Sequence, residues 1–470
     1  MSAGTAPAAT RAGRVLVRWD LEDRAFWEAE GKRIATRNLW ISIPALLLSF
    51  AVWMVWSVVV VRLPEVGFRY TTDQLFWLAA LPGLSGATLR IFYSFMVPIV
   101  GGRMWTVLST ASLLVPAIGM GLAVQDPKTS FQTMLLLALL CGFGGGNFAS
   151  SMANISFFFP KEQKGTALGL NAGLGNLGVS TMQFVVPLVI TAGVFGALGG
   201  PPQQLVRPGG GQLWLQNAGF VWVPFVLAST IAAWLGMNDI ASAKASFREQ
   251  AVIFRRKHNW VMCWLYVGTF GSFIGYSAGL PLLIRSQFPG VDAMRYAFLG
   301  PLVGALVRPV GGWLSDKVGG ARVTFWNFLA MALAAAGVLA FLPRGGQGGS
   351  FPAFLGTFIL LFLTSGVGNG STFRMIPVIF ATFHERRSAG GGAEAIAQSR
   401  KDAAKEAAAV IGFSSAVAAY GAFFIPRAFG FSMSATGSPA GAFLGFIAVY
   451  VSCLAITWWF YSRRGAEAPC

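Results

Sequence analysis

The sequence predicts an all-α membrane protein of twelve transmembrane helices arranged as two pseudo-symmetric six-helix halves. Three observations predict it: a shortage of charge, twelve long apolar runs, and one internal repeat that links the second run to the eighth. Of 470 residues, 55% are hydrophobic and 11% charged, against roughly a quarter charged in soluble domains. Forty Phe, sixteen Trp and 58 Gly extend the signal, because membrane helices carry aromatics at their ends and glycine at their contacts. The net charge of +17 raises the question of nucleic acid. That class is excluded because the basic residues sit in short loops between apolar runs, not in a continuous basic domain. Cys141, Cys263, Cys453 and Cys470 are far apart and have no metal-ligand or disulfide-framework spacing.

Twelve runs are long enough to cross about 30 Å of hydrocarbon: 39–61, 73–97, 104–125, 131–159, 164–194, 217–237, 259–284, 294–315, 321–343, 351–380, 404–431 and 438–462. The first follows a polar stretch too long for a signal-peptide n-region and has no small-residue cleavage site after it, so it reads as a retained span. The expected organisation is an N-terminal cytoplasmic segment (1–38), a first half (39–237), a cytoplasmic linker (238–258), a second half (259–462) and a cytoplasmic tail (463–470). The linker carries Lys244, Arg248, Arg255, Arg256 and Lys257. Loops on the side of the two termini hold 24 Lys and Arg, and the opposite loops hold eight. By the positive-inside rule both termini are cytoplasmic.

The repeat is gap-free. Shifting by 218 places Leu81–Gly102 on Leu299–Gly320 with eight of 22 pairs identical, among them Gly86/Gly304, Arg90/Arg308, Gly101/Gly319 and Gly102/Gly320. A weaker match at a shift of 224 places Gly142, Gly144 and Gly146 on Gly366, Gly368 and Gly370. Parallel halves of this kind are the major facilitator arrangement. After span 8, GGWLSDKVGGARV (Gly312, Asp316, Lys317, Gly319, Arg322) resembles that superfamily's loop signature with one extra residue before the last base, and reads as a cytoplasmic latch. The corresponding MVPIVGGR has Pro98 in place of the acid, which predicts a weaker latch in the first half.

Arg90 and Arg308 carry the chemistry. A central intramembrane arginine costs about 3 kcal/mol on insertion scales, so it needs a partner or a task. Every Asp and Glu falls in a loop, a tail or a span end, and His258 and His384 read as loop residues. Two arginines on equivalent helices, without a buried countercharge, make a positive site whose missing charge is the substrate's. A guanidinium fork suits a planar oxyanion. Gly165, Gly169 and Gly173 are four residues apart and read as a close helix contact, compatible with rocking of one half on the other.

With these arginines, GFGGGNFASSMANISFFFPKEQKGTALGLNAGLGNLGVS (142–180) and AAAVIGFSSAVAAYG (407–421), the chain resembles the nitrate/nitrite porter family over almost its whole length, and its NarK-type antiporters most closely. The resemblance implies a site in which Arg90 and Arg308 sandwich the anion and Asn176 and Tyr266 donate hydrogen bonds. It further implies aromatic walls from Phe50, Phe148 and Phe270, with close backbone or hydroxyl contacts from Gly145 and Ser415. Spacing alone leaves the three phenylalanines as packing residues. Span 10 departs from the pattern: Asn369 stands where serine is expected and still offers a hydrogen bond, and Arg374, in place of an uncharged polar residue, reads either as a cytoplasmic-side cavity residue or as one that snorkels to the interface. The resemblance implies nitrate and nitrite as substrates and electroneutral antiport. It implies no metal or organic cofactor, the lipid bilayer as surroundings, no nucleic acid, no enzymatic activity, and a monomer in a bacterial inner membrane. A proton–nitrate symporter and an organic-anion carrier are the alternatives.

Overall fold

The computed structural model describes residues 11–21, 23–206, 210–241, 243, 251–343, 348–388 and 390–470. Lys244 and Arg248 of the linker, and Arg207 and Arg344 of the loops, lie outside the described residues. Twelve helices are long and apolar enough to cross a membrane: α1 Arg24–Val66, α2 Thr72–Tyr93, α3 Gly102–Ala123, α4 Phe131–Phe158, α5 Glu162–Val189 and α6 Asn217–Gly236. The second six are α7 Lys257–Gln287, α8 Ala293–Val318, α9 Gly320–Ala340, α10 Phe351–Ser388, α11 Glu394–Thr436 and α12 Ala440–Ser462.

The predicted twelve are all present, but α1, α10 and α11 run well beyond hydrocarbon thickness. Their extra turns carry charge, for which helix is favourable and lipid is not. Consequently His258 and His384, read as loop residues, are helical and buried. Each meets a carboxylate, His258 that of Glu467 at 3.4 Å and His384 that of Glu406 at 3.3 Å.

Local chemistry sets the helix ends. Thr71 and Gln74 form a reciprocal capping box that starts α2, satisfying two backbone donors that a helix start leaves bare. Gly101 and Gly319, paired by the repeat, separate α2 from α3 and α8 from α9 with the same left-handed φ of 94°, which glycine adopts without a Cβ penalty.

Residues 11–16 and Cys470 lie at one end of the bundle. Val15–Leu16 (β2 of a small sheet begun by β1, Arg11–Ala12) pairs in parallel with Asp239–Ile240, just after α6, and the carbonyl of Cys470 accepts from the Ala321 N–H at the start of α9. At the same end Asp239 accepts from the Arg103 N–H at 2.8 Å. A carboxylate therefore does reach the first-half loop where Pro98 stands, but it comes from beyond α6, not from the loop itself. Burial pushes the Asp239 carboxyl up, opposed by the Arg103 N–H and guanidinium.

The glycine repeats have matching uses. A Cβ on Gly86 or Gly145 would strike the Trp53 indole of α1, and one on Gly304 would strike Phe273 of α7. Gly142 lies against the backbone of Gly86, and Gly366 against that of Gly304. Thus α4 crosses α2 as α10 crosses α8, with backbones in contact. Gly165, Gly169 and Gly173 behave otherwise: nothing lies within 4 Å of a Cβ placed on any of them, nor on Gly412 of α11. The close contact expected of this stripe is absent in this conformation, because the halves are parted at the termini end. At the opposite end they are joined, by Arg62–Asp292 at 3.0 Å, Arg427–Asp73 at 2.8 Å and the Phe184–Phe298 ring contact.

Candidate functional site

Arg90 is fully buried on α2 and Arg308 is 8% exposed on α8. Arg90 donates from Nε to the Gly145 carbonyl at 3.0 Å and from Nη1 to the Ser415 carbonyl at 3.2 Å. The first bond is possible because Gly145 brings the α4 backbone against α2. The second crosses from one half to the other. Arg308 receives less support, its Nη2 reaching the Tyr266 hydroxyl at 3.4 Å.

Aromatic faces stand where countercharges would be expected. The Arg90 guanidinium lies 4.8 Å from the Phe148 ring, 5.3 Å from Trp53 and 5.6 Å from Phe270, and Arg308 lies 5.3 Å from Phe373. Such contacts favour a desolvated cation by about 2 kcal/mol each at best, well short of replacing a buried carboxylate. Phe270 stacks on Tyr266 at 5.5 Å and on Phe148 at 6.4 Å, and Phe50 meets Phe148 edge-on at 6.1 Å. One aromatic stack thus runs from Arg90 to the tyrosine that touches Arg308. A π-helical turn at Val267–Gly271 lies within this stack, an irregularity frequent at functional sites.

Orphaned polar atoms occur on both arginines and on the two expected asparagines. Among the described residues Arg90 Nη2, Arg308 Nη1, both side-chain polar atoms of Asn176 and Oδ1 of Asn369 are buried without a hydrogen-bond partner. Each such atom costs about 1–3 kcal/mol, more for a charged group. Asn176 is held by its neighbours: Gly175 and Gly178 press α5 against Leu46, Leu47 and Phe50 of α1. Asn369 lies between Gly368, which abuts Thr269 and Asn327, and Gly370, which abuts the Arg308 backbone.

Arg90, Tyr266, Phe50, Phe148, Phe270, Gly145, Ser415 and Arg308 are therefore linked by contacts. Ser415 engages Arg90 through its carbonyl, while its hydroxyl donates to Gly412. Arg374 is half exposed and pairs with Asp316 of the loop motif. Lys317 rests 4.2 Å from the Trp313 ring, and Arg322 is exposed. Reading the sequence missed Trp53, whose Nε1 donates to the Pro82 carbonyl at 2.6 Å while its face supports Arg90. It also missed Gln183, whose Nε2 joins Ser57 (3.0 Å) to the Ser277 carbonyl of the other half (2.8 Å). Gln183 had a signal, an amide in a long apolar run.

The sequence profile of the Major Facilitator Superfamily matches residues 43–400. The chain is 54% identical to the nitrate/nitrite transporter NarU of Escherichia coli, over 96% of this chain and 97% of that one. It is 46% identical to the probable nitrate/nitrite antiporter NarK2 of Thermus thermophilus, over 97% and 99%. The human organic anion transporter MFSD10 shares the fold, with a TM-score of 0.55 at 14% identity over 91% of this chain and 99% of that chain. The chain belongs to the nitrate/nitrite porter family of the Major Facilitator Superfamily, a family of transporters and not of enzymes.

Proposed function

We propose that this protein exchanges nitrate for nitrite across a bacterial inner membrane, binding the anion between Arg90 and Arg308 and presenting it to each side in turn. The observation that carries the reading is the unpaired donor on each of two buried guanidiniums, with no carboxylate bonded to either among the described residues. A planar monovalent oxyanion supplies the acceptors and the charge together. The relatives named for nitrate and nitrite transport support that substrate class.

The exchange follows from electrostatics. With the anion bound, the two cations can draw together and the halves close over them. Without it, closure sets like charges against each other at low dielectric, a cost of several kcal/mol. The empty carrier returns slowly, so one anion leaves when another is bound. Swapping one monovalent anion for another moves no net charge. If both termini are cytoplasmic, as the loop charges predict, this conformation opens to the cytoplasm. One chain contains the whole site, so the monomer suffices.

The test is uptake of isotopically labelled nitrate into liposomes holding the purified protein. Vesicles loaded with nitrite should fill rapidly and vesicles loaded with chloride slowly. External nitrite should compete, and larger carboxylates should not. Equal uptake into both kinds of vesicle would overturn the exchange reading, and competition by bulky carboxylates the substrate.

A further inference from the structure

We propose that Arg427 and Asp73 are the latch that keeps the end remote from the termini shut, and that the neighbouring pair Arg62–Asp292 is not. The inference rests on the alternating-access reading above and assigns residues to one of its steps.

Both pairs cross between the halves, at similar lengths and similar exposure. They differ in what each member retains once the halves part. Arg62 also bonds Glu65 of its own half at 2.9 Å, and Asp292 has Arg295 of its own half at 3.7 Å. Separation exchanges one partner for another already in place. Arg427 has no such reserve among the described residues. Its guanidinium donates to Asp73 at 2.8 Å and lies 4.0 Å from the Trp77 ring, and both belong to α2 in the other half. Opening this end removes an ion pair and a cation–π contact from one side chain at once.

The seam below is built for close approach. Gly430 of α11 makes room for the pair, since a Cβ there would stand 2.9 Å from Phe76 Cβ and 3.1 Å from Asp73 Oδ1. Farther in, Gly83 lies against the backbone of Ala422, the Thr88 and Tyr420 hydroxyls meet at 2.8 Å, and Arg90 bonds the Ser415 carbonyl. The same two helices therefore hold the latch at the mouth and the anion site at the base. Arg90 bonds the Ser415 carbonyl through Nη1 and keeps Nη2 free, so the anion binds beside the inner end of a seam whose outer end is Asp73–Arg427.

The test uses Ala80→Cys in a background with the four native cysteines replaced by serine. Ala80 is fully buried and one turn from both Phe76 and Gly83 on the seam face of α2, so a small water-soluble thiol reagent should reach it only when this end opens. In purified protein in lipid nanodiscs, Arg427→Gln and Asp73→Asn should each raise the labelling rate about tenfold or more. Arg62→Gln should raise it less than about threefold. The exchanged pair Asp73→Arg with Arg427→Asp should bring it back most of the way, which a merely misfolded single variant would not allow. Labelling that responds to added nitrite but is equal in Arg427→Gln and Arg62→Gln would overturn the latch and leave alternating access standing. Labelling that ignores nitrite in every variant would remove alternating access, and the latch with it.

Discussion

Replacing Arg90 by lysine keeps the charge and removes the fork. In the protein Nε and Nη1 are occupied by the Gly145 and Ser415 carbonyls at 3.0 and 3.2 Å, and Nη2 is left without a partner. A guanidinium can serve all three directions because its donors are spread around a rigid plane. An ammonium carries its donors on one atom, so reaching the two carbonyls draws it away from the anion. Losing one hydrogen bond to a charged partner costs about 1.5–3 kcal/mol, which weakens nitrate binding roughly 10- to 150-fold. Titration calorimetry of nitrate into the detergent-solubilised variant measures this directly. A melting temperature close to that of the unsubstituted protein would show that the variant is folded. A dissociation constant within about threefold of the original, with normal exchange, would refute the argument and make Arg90 a structural residue.

Other consequences follow from the same geometry. Tyr266→Phe removes the hydroxyl that reaches Arg308 while leaving its stacking on Phe270, so nitrate affinity should fall by about 1 kcal/mol or more with the melting temperature unchanged; unaltered affinity would exclude the hydroxyl from the site. Gly145→Ala places a Cβ 2.6 Å from Trp53 Cε2 and 2.7 Å from the Gly86 Cα, and overpacking of this kind should cost about 1–3 kcal/mol, read as a lowered melting temperature. Asp239 has a carboxyl pushed up by burial, so its folding contribution is present below the ordinary carboxylate range and is lost as pH rises through its folded-state pKa. The melting temperature of the original protein should therefore fall relative to that of Asp239→Asn as the pH rises above the ordinary carboxylate range of about 4, and parallel profiles would contradict this.

How much of this was readable beforehand depended on whether the signal was local. Arg90 and Arg308 stood out because charge is costly in an apolar run, and the shift of 218 linked them before any geometry was known. The structure gives that link physical content in the common φ of Gly101 and Gly319. Trp53 was not separable from the many other aromatics, since nothing in a sequence says which ring faces a cation. The Gly165–Gly169–Gly173 stripe was read as a helix contact and faces open space, because periodicity does not specify which of two conformations a carrier occupies. The pairing of Arg374 with Asp316 was not legible, since the two lie 58 positions apart. The histidines were assigned to loops because helices that outrun the bilayer lose their hydropathic signature.

The central claim, obligatory exchange of anions at a site whose charged groups are guanidiniums, is tested most directly by driving force. No carboxylate bonds Arg90 or Arg308 among the described residues, and guanidinium does not titrate near neutral pH. On the proposed mechanism no proton is taken up and released with each cycle. Proteoliposomes containing neither nitrate nor nitrite, given an inward proton gradient alone, should accumulate no nitrate above the protein-free control. Addition of internal nitrite should start uptake whether or not the gradient is present. Robust accumulation in the empty vesicles under the proton gradient would contradict the exchange account and establish a proton-coupled symporter.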